Sequence, residues 1–293
     1  LPEMRAPYYK LWRNLEKVKR ILLPGIIFQS VIMAGGYGTG REIVEYFLQL
    51  GPYSGILSML AVALVWGVVC ALTFEFARRF SCYDYKSFFN QLLGPFGFIF
   101  EFSYFGVVLI VVSVIISSAG SMLRDSLGIP YFLGALVMMS YVAYMVTRGS
   151  SHIEKAMSWW TVLLYVVYLS FFFTAFSSYG REINKVFAIS EYKSGWFLQG
   201  LKYAGYNLGL IPAVLFTIRR IQTSKQAVLA GFFSGFVAII PGILFFVALV
   251  GKYPGVLGAE IPAIYLLTAM DAKVLSIVYH IVLFGTLIET GVD

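Results

Sequence analysis

The sequence predicts an all-helical protein that crosses a membrane several times, and three observations carry this prediction. Hydrophobic residues make up 59% of the 293-residue chain and charged residues only 13%, with a mean hydropathy of +0.79, which is outside the range of ordinary soluble domains. Apolar runs long enough to cross a bilayer as helices recur along the chain. Lysine and arginine gather at the ends of these runs, as they do in membrane proteins, so the net charge of +7 does not indicate a nucleic-acid partner.

The first long apolar stretch, residues 22–50, is interrupted by glycines. Gly35, Gly36, Gly38 and Gly40 fall within six residues and lead into the charged pair Arg41-Glu42. Each glycine weakens a helix by about 1 kcal/mol relative to alanine. Backbone groups left unpaired in hydrocarbon cost several kcal/mol each, so we expect a helix that stops and restarts with its break facing a cavity.

Such a break brings two kinds of backbone group together. The helix that ends near Gly35 directs carbonyls into the cavity, whereas the helix that begins near Gly40 directs N–H groups and the positive end of its dipole there. Cations and anions therefore both have partners at the break. The residues expected to contact a small carboxylate-bearing solute are Gly36, Tyr37, Gly38, Thr39, Gly40 and Arg41.

A second interruption is expected in the apolar run of residues 196–218. Its Gly205-Tyr206-Asn207-Leu208-Gly209 segment, followed by Pro212, echoes the glycines and tyrosine of the first break. Two interrupted spans in corresponding halves of a chain are typical of secondary transporters. The alternative explanations are close helix packing through small residues for the first break and an ordinary proline kink for the second.

The apolar runs predict about eight spans and one orientation. Residues 1–21 form a basic amphipathic segment, residues 84–93 an interfacial helix, and residues 252–271 a connection that can hold a short helix. Cations are more numerous on the side of the N-terminus, so we expect a cytoplasmic N-terminus in the cell membrane, in a bacterium the inner membrane. The predicted spans are 22–50, 56–77, 98–122, 131–146, 157–176, 196–218, 227–250 and a last one from 272.

Broken first and sixth spans, with four complete spans between them, resemble the LeuT fold, a five-plus-five inverted repeat. The resemblance implies a first repeat over residues 22–180 and an incomplete second repeat over residues 181–293. Two further spans are then expected beyond Asp293. More narrowly, Gly35–Ile43 together with Glu289-Thr290-Gly291-Val292 resembles the YkvI-type membrane proteins, which lie near the amino acid-polyamine-organocation superfamily.

The LeuT-like resemblance implies a substrate site at the membrane midplane between spans 1, 3, 6 and 8. Ser117, Tyr206 and Asn207 are then further substrate contacts. A sodium ion would lie between carbonyls of Ala34 and Tyr37 and a hydroxyl of Thr286 or Thr290. Arg41 stands where sodium-coupled members place an amide ligand, which argues against a second sodium site.

Two titratable side chains inside the predicted spans are candidates for proton coupling. Glu42 follows the first break, and Lys202 lies inside the sixth span, where a cation costs roughly 2.5 to 3.5 kcal/mol without a partner. The structural alternative for Glu42 is that it only caps the restarted helix. The alternative for Lys202 is that its side chain extends to the membrane interface and places the amine in water.

These features predict a secondary transporter that moves an amino acid or a related small carboxylate by alternating access, coupled to H⁺ or Na⁺. The alternative is a membrane receptor or accessory subunit that keeps the fold without transporting. A channel and a membrane enzyme are disfavoured, because neither a filter-like sequence nor a cluster of catalytic residues stands out. With only two cysteines and two histidines, we expect neither a metal centre nor an organic cofactor, and the oligomeric state is left open.

Overall fold

A computed structural model describes the backbone of residues 5–33, 37–148 and 153–292, without the side chains of residues 5–17, 125–126, 145–146, 148, 153–162 and 289–292. Every regular element in these ranges is helical, as the composition predicts. The α-helices are α1 (Arg5–Ile32), α2 (Arg41–Tyr46), α3 (Pro52–Phe80), α4 (Tyr85–Leu93), α5 (Gly97–Leu127), α6 (Tyr131–Arg148), α7 (Ile153–Ala188), α8 (Trp196–Leu208), α9 (Ser224–Val250), α10 (Pro262–Ala269) and α11 (Lys273–Val292). Short 3-10 helices cover Leu48–Leu50, Gly94–Phe96, Ile211–Arg220 and Gly255–Gly258.

Within the described residues, four helical stretches are long and apolar enough to cross a membrane: Pro52–Phe80, Tyr85–Arg124, Leu163–Ala188 and Ser224–Val250. The second of these takes α4 and α5 together through the 3-10 helix between them. A bent pair, Trp196–Leu208 followed by Ile211–Arg220 at 64°, is long and apolar enough when taken together and has the form of a broken span or a re-entrant loop. Two further apolar helices, Tyr131–Tyr144 and Lys273–Ile288, are shorter. The protein is therefore a helical membrane protein with several apolar helices, and the count of eight spans stays a prediction.

The chain forms two compact units. The first comprises Leu1–Ser30, Leu60–Ser103 and Leu201–Ile240, and the second comprises Val31–Met59, Tyr104–Gly200 and Pro241–Asp293. Each unit draws on residues from both predicted repeats. The predicted repeats are defined by the order of the spans along the chain and not by contacts, so the two units do not test them. The predicted boundary of the repeats at residue 180 stays a prediction.

In the first unit, α3 and α9 meet through small residues. A Cβ on Gly235 would lie 2.3 Å from the backbone nitrogen of Gly67, and one on Gly231 would lie 2.3 Å from Cα of Ala71. Gly231 and Gly235 are one helical turn apart in a Gly-x-x-x-Gly motif, which lets two membrane helices approach backbone to backbone. The helices are in contact here at a distance that no side chain on these glycines would permit.

Trp66 of α3 fills the neighbouring core of this unit. Its ring meets Phe28 of α1 edge to face, with the ring centroids 5.6 Å apart. Its indole N–H donates to the carbonyl of Ala204 in α8 over 3.2 Å. The buried tryptophan thus has an apolar partner and a hydrogen-bond acceptor, as such residues require.

The predicted interfacial helix is α4, and its first turn is capped by a carboxylate. Asp84 accepts a hydrogen bond from the backbone N–H of Ser87 over 2.9 Å and another from its hydroxyl over 2.7 Å. These bonds, with a smaller contribution from the charge of Arg219, hold the pKa of Asp84 below its ordinary value. Phe88 is buried against Phe76 instead of facing lipid, because α4 packs onto the 3-10 helix Ile211–Arg220.

In the second unit, α11 is the central helix and packs on α6, α7 and α10. The short α10 lies within the connection of residues 252–271, where the sequence leaves room for a helix. Its buried side chains are those of Pro262, Ala263, Leu266 and Leu267. A separate link joins the start of α3 to the segment after α7, where the hydroxyl of Ser54 accepts a hydrogen bond from the backbone N–H of Lys193 over 2.7 Å.

Candidate functional site at the first helix interruption

The first apolar stretch is interrupted as its glycines predict. Helix α1 ends at Ile32 and α2 begins at Arg41. Gly40 has a left-handed backbone with φ of 76°, and its N–H donates to the carbonyl of Tyr37 over 3.0 Å. A Cβ at Gly40 would also lie 2.8 Å from Cε1 of Phe245, so both the conformation and the space require glycine.

Residues of α10 and α11 hold the interrupted backbone by hydrogen bonds. The buried hydroxyl of Tyr279 donates to the carbonyl of Gly38 over 2.9 Å. The backbone N–H of Ala263 donates to the carbonyl of Thr39 over 3.2 Å. The chain itself therefore satisfies carbonyls that the helix no longer pairs, which is the condition for a broken helix in a membrane.

An aromatic cluster surrounds this backbone. Phe171 of α7 stacks on Phe245 of α9 with centroids 4.9 Å apart, and Tyr168 of α7 stacks on Tyr279 with centroids 5.8 Å apart. All four rings are buried. The hydroxyl of Tyr168 lies 3.4 Å from the position that a Cβ on Gly38 would occupy. Because Gly38 has no side chain, this hydroxyl can lie close to the backbone.

Arg41 connects the restarted helix to the connection before α10. Its Nε lies 2.7 Å from Oε1 of Glu45, one turn along α2, and its Nη1 donates to the carbonyl of Ala259 over 3.0 Å. The side chains of Arg41 and Glu45 remain 38% and 45% exposed. Glu45 is thus one carboxylate in contact with Arg41, and about a third of the Arg41 side chain remains exposed.

Tyr37 and Glu42 flank the break within the same unit. The ring of Tyr37 is fully buried, and a Cβ on Gly242 of α9 would lie 2.8 Å from its Cζ. Gly242 thus makes room for this ring. Glu42, the candidate for proton coupling, is half-buried in the first turn of α2.

The second interruption belongs to the first unit and differs in detail from its prediction. Gly205 and Tyr206 lie inside α8, and the chain bends only after Leu208. Asn207 is buried and donates from its side-chain amide to the carbonyl of Tyr203 over 3.1 Å, within its own helix. Tyr206 is half-buried, and the proposed contacts of Tyr206 and Asn207 with a substrate stay predictions.

The remaining predicted site residues occupy varied environments. Ser117 is exposed and accepts a hydrogen bond from the hydroxyl of Tyr131 over 3.0 Å. Thr286 is buried, and its hydroxyl donates to the carbonyl of Val282 over 2.8 Å. Lys202 is exposed on α8. Ala34 and Gly36, and the side chain of Thr290, lie outside the described residues.

Sequence reasoning missed the partners of the break, chiefly Tyr279. A signal for it was present, because Tyr279, Leu283 and Thr286 are spaced as neighbours on one face of a helix, and all three are buried. Thr286 was selected by the family resemblance, so the same face points to Tyr279. Among the described residues, no group of three or more histidine, cysteine, aspartate or glutamate side chains could hold a metal ion.

The chain is similar to a bacterial protein along most of its length. It is 24% identical over 269 residues to the uncharacterized membrane protein YkvI of Bacillus subtilis (strain 168), an alignment that covers 88% of this chain and 74% of that protein. No family model matches the chain, and no solved structure is similar to it. The resemblance to the YkvI-type membrane proteins, first suggested by the glycine segment before Arg41, is thereby confirmed.

Proposed function

We propose that this protein is a secondary transporter that moves a small, carboxylate-bearing organic solute, such as an amino acid, by alternating access. One observation carries the proposal: the first membrane segment is interrupted, and its loose backbone is held by polar groups of α10 and α11 inside an aromatic cluster. Interrupted helices in membrane proteins occur where backbone lines a cavity or meets protein, and transporters use them as binding sites.

The solute's carboxylate would bind beside Arg41, at the start of α2, where the backbone N–H of Arg41 already donates to the hydroxyl of Thr39 over 3.2 Å. A guanidinium suits this role because its planar array of donors matches a carboxylate. In the proposed LeuT-like arrangement, Ser117, Tyr206 and Asn207 would supply the remaining contacts. Support for Arg41 comes from its partly exposed side chain, whose guanidinium already binds one carboxylate, that of Glu45.

Coupling to an ion is part of the proposal, and two modes are open. A sodium ion would be bound by carbonyls of Ala34 and Tyr37 with a hydroxyl of Thr286 or Thr290. A proton would be carried by Glu42 or Lys202. The hydroxyl of Thr286 donates its hydrogen to the carbonyl of Val282, and a hydroxyl oxygen is a cation ligand of the type that the proposed sodium site needs.

A non-transporting receptor or accessory subunit is the second candidate, and one observation favours it. The carbonyls of residues 37–40 each accept a hydrogen bond from the protein, from Gly40, Tyr279, Ala263 and Val44 in turn. A break whose carbonyls are paired internally can be a fixed structural feature. Transport by alternating access would require some of these bonds to break and re-form during the cycle.

Uptake into proteoliposomes distinguishes the two candidates. The purified protein is reconstituted and offered labelled amino acids and other small carboxylates, with and without inward gradients of H⁺ or Na⁺. We expect saturable uptake of one solute class that a gradient accelerates. Solute binding without any flux in the same vesicles would support the receptor, and the absence of both binding and flux for every carboxylate would contradict the proposed substrate class.

A pair of substitutions on one ion pair tests the role of Arg41. Arg41→Gln and Glu45→Gln both remove the contact between these side chains, but only the first removes the cation. If the guanidinium binds the solute, Arg41→Gln should raise KM by about tenfold or more, the loss expected for one charge-assisted pair. Glu45→Gln should leave KM unchanged or lower it, and equal effects of both variants would show that only the ion pair matters.

The coupling ion is tested at Thr286. Thr286→Ser keeps the hydroxyl and Thr286→Val removes it with little change in volume. Sodium coupling at this position predicts that only the valine variant loses sodium-dependent uptake. If both variants keep the wild-type dependence on sodium, the sodium site lies elsewhere, and the Lys202→Gln and Glu42→Gln variants then test the dependence on a proton gradient.

A further inference from the structure

The first unit contains a basic cavity that the proposed transport site does not use. It has a volume of about 400 Å³ and is lined by four cationic side chains, those of Lys19 and Arg20 from α1 and of Arg219 and Arg220 from the end of the 3-10 helix Ile211–Arg220. Thr217, Gln222 and the apolar Leu23 complete the wall. Among the lining residues whose side chains are described, none carries a carboxylate.

The charges of this cavity are only partly balanced. Arg219 lies over the ring of Tyr83, with its Cζ 5.8 Å from the ring centroid, and its charge contributes to lowering the pKa of Asp84. Lys19, Arg20 and Arg220 form no ion pair with any residue whose side chain is described. Four cations around one cavity repel one another, so an anion that enters it gains the attraction of all of them.

The cavity also lies at a predictable depth. Lys19 and Arg20 directly precede an apolar run, and Arg219 and Arg220 directly follow one, so all four mark the boundary between membrane and water. The interfacial helix α4 packs on the same 3-10 helix. By the distribution of cations, this boundary is the one predicted to face the cytoplasm, where anionic phospholipids attract basic segments.

We propose that this cavity binds the phosphate group of an anionic phospholipid. One guanidinium group can bind two phosphate oxygens at once, and the ammonium group of Lys19 adds a positive charge. The side-chain amide of Gln222 is a neutral hydrogen-bond donor. A volume of about 400 Å³ accommodates a phosphodiester with its glycerol, and Leu23 offers apolar surface where the acyl chains begin. The cavity is predicted to lie at the depth of the lipid headgroups, which favours a phospholipid over a soluble phosphate ester as its ligand.

Retention of lipid by the purified protein tests this proposal. The full chain in neutral detergent is titrated with phosphatidylglycerol, phosphatidylcholine or soluble glycerol 3-phosphate, and bound molecules are counted by native mass spectrometry. The wild type should bind phosphatidylglycerol more tightly than phosphatidylcholine. The double variant Arg219→Gln, Arg220→Gln should lose about tenfold or more in affinity for phosphatidylglycerol, and Lys19→Gln, Arg20→Gln should do the same.

A matched control removes the same charge from a different place. Arg181→Gln, Lys185→Gln takes two exposed cations from α7 in the second unit and should bind phosphatidylglycerol like the wild type. All variants are first compared with the wild type by size-exclusion chromatography. If a double variant does not elute as the wild type does, the single substitution of Arg220 or Lys19 is used in its place.

Equal losses of affinity for phosphatidylglycerol in the cavity and control variants would overturn the proposal, because they would reflect net charge alone. Binding of glycerol 3-phosphate without preference for phosphatidylglycerol would also overturn it, in favour of a soluble phosphate ester.

Discussion

The two units of this protein pack by different means. In the first, α3 and α9 touch backbone to backbone through Gly67, Gly231 and Gly235. In the second, the interrupted first segment is enclosed by aromatic rings and held by single hydrogen bonds from Tyr279 and Ala263. A methyl group added at Gly231 or Gly235 would meet backbone, whereas one added at Gly40 would first meet a ring edge. We therefore expect substitutions at the two places to differ in their effects on stability and on uptake.

The largest effect should come from filling the glycine contact of the first unit. In Gly235→Ala the new methyl would lie 2.3 Å from the backbone of Gly67, and neither backbone can move without parting the two helices. Overpacking of this kind costs about 1–3 kcal/mol and occasionally more. We expect a clear drop in the thermal unfolding midpoint in detergent. The control in the same unit is Gly205→Ala, whose methyl would meet no atom within 4 Å. A midpoint equally low for both variants would contradict the close contact of α3 and α9.

Gly40→Ala is the corresponding change in the second unit and should act differently. A left-handed backbone costs alanine about 1–2 kcal/mol, while the clash is with the ring edge of Phe245, a side chain that can shift. We therefore expect a smaller loss of stability than for Gly235→Ala but a large loss of uptake. Gly106→Ala, with open space in the middle of α5, is the control. Wild-type uptake by a folded Gly40→Ala protein would remove the interruption from the proposed mechanism.

Removing the hydroxyl of Tyr279 tests the hydrogen bond that holds the break. Tyr279→Phe keeps the ring in the aromatic cluster but leaves the buried carbonyl of Gly38 without this donor, at a cost of about 1–3 kcal/mol. The unfolding midpoint should fall, and amide exchange of residues 37–44 should become faster. Tyr53→Phe, at an exposed ring, should change neither quantity. If Tyr279→Phe exchanges like the wild type, another group satisfies the carbonyl.

The positions of most helices could be predicted from the sequence because apolar runs and their flanking charges are local signals. The same holds for the first interruption, where Gly40 has the left-handed backbone for which glycine is suited. The contacts of the interruption were not predicted, because Tyr279 and Ala263 are more than two hundred residues away in the chain. Tyr279 shares a helix face with Thr286, but that spacing does not show which backbone group its hydroxyl meets. The glycine contact of α3 and α9 was not predicted although Gly231 and Gly235 form a known packing motif, because such a motif does not show which helix lies against it. Arg41 with Glu45 is the intermediate case, since a spacing of four residues on a helix predicts the pair but not the further bond to Ala259.

The smallest expected effect is at the cap of α4. It tests whether the first unit is as rigid near the interruption between α8 and the following 3-10 helix as it is at the glycine contact of α3 and α9. Asp84→Ala removes the acceptor for the first turn of α4, which packs on the 3-10 helix Ile211–Arg220, so amide exchange in both segments should become slightly faster. Asp84→Asn keeps a capping oxygen but lacks the charge, so it should exchange slightly faster than the wild type at neutral pH. Because the folded pKa of Asp84 lies below its ordinary value of 3.8, the charge of the cap stabilises the helix above that value, and this contribution is lost as the pH falls through the lowered pKa. The exchange rate of the wild type divided by that of Asp84→Asn, measured at matched pH, should therefore lie below one at neutral pH and approach one in acid. If Asp84→Ala alters α4 but leaves residues 211–220 unchanged, the second interruption is held by the rest of the first unit and not by the interfacial helix.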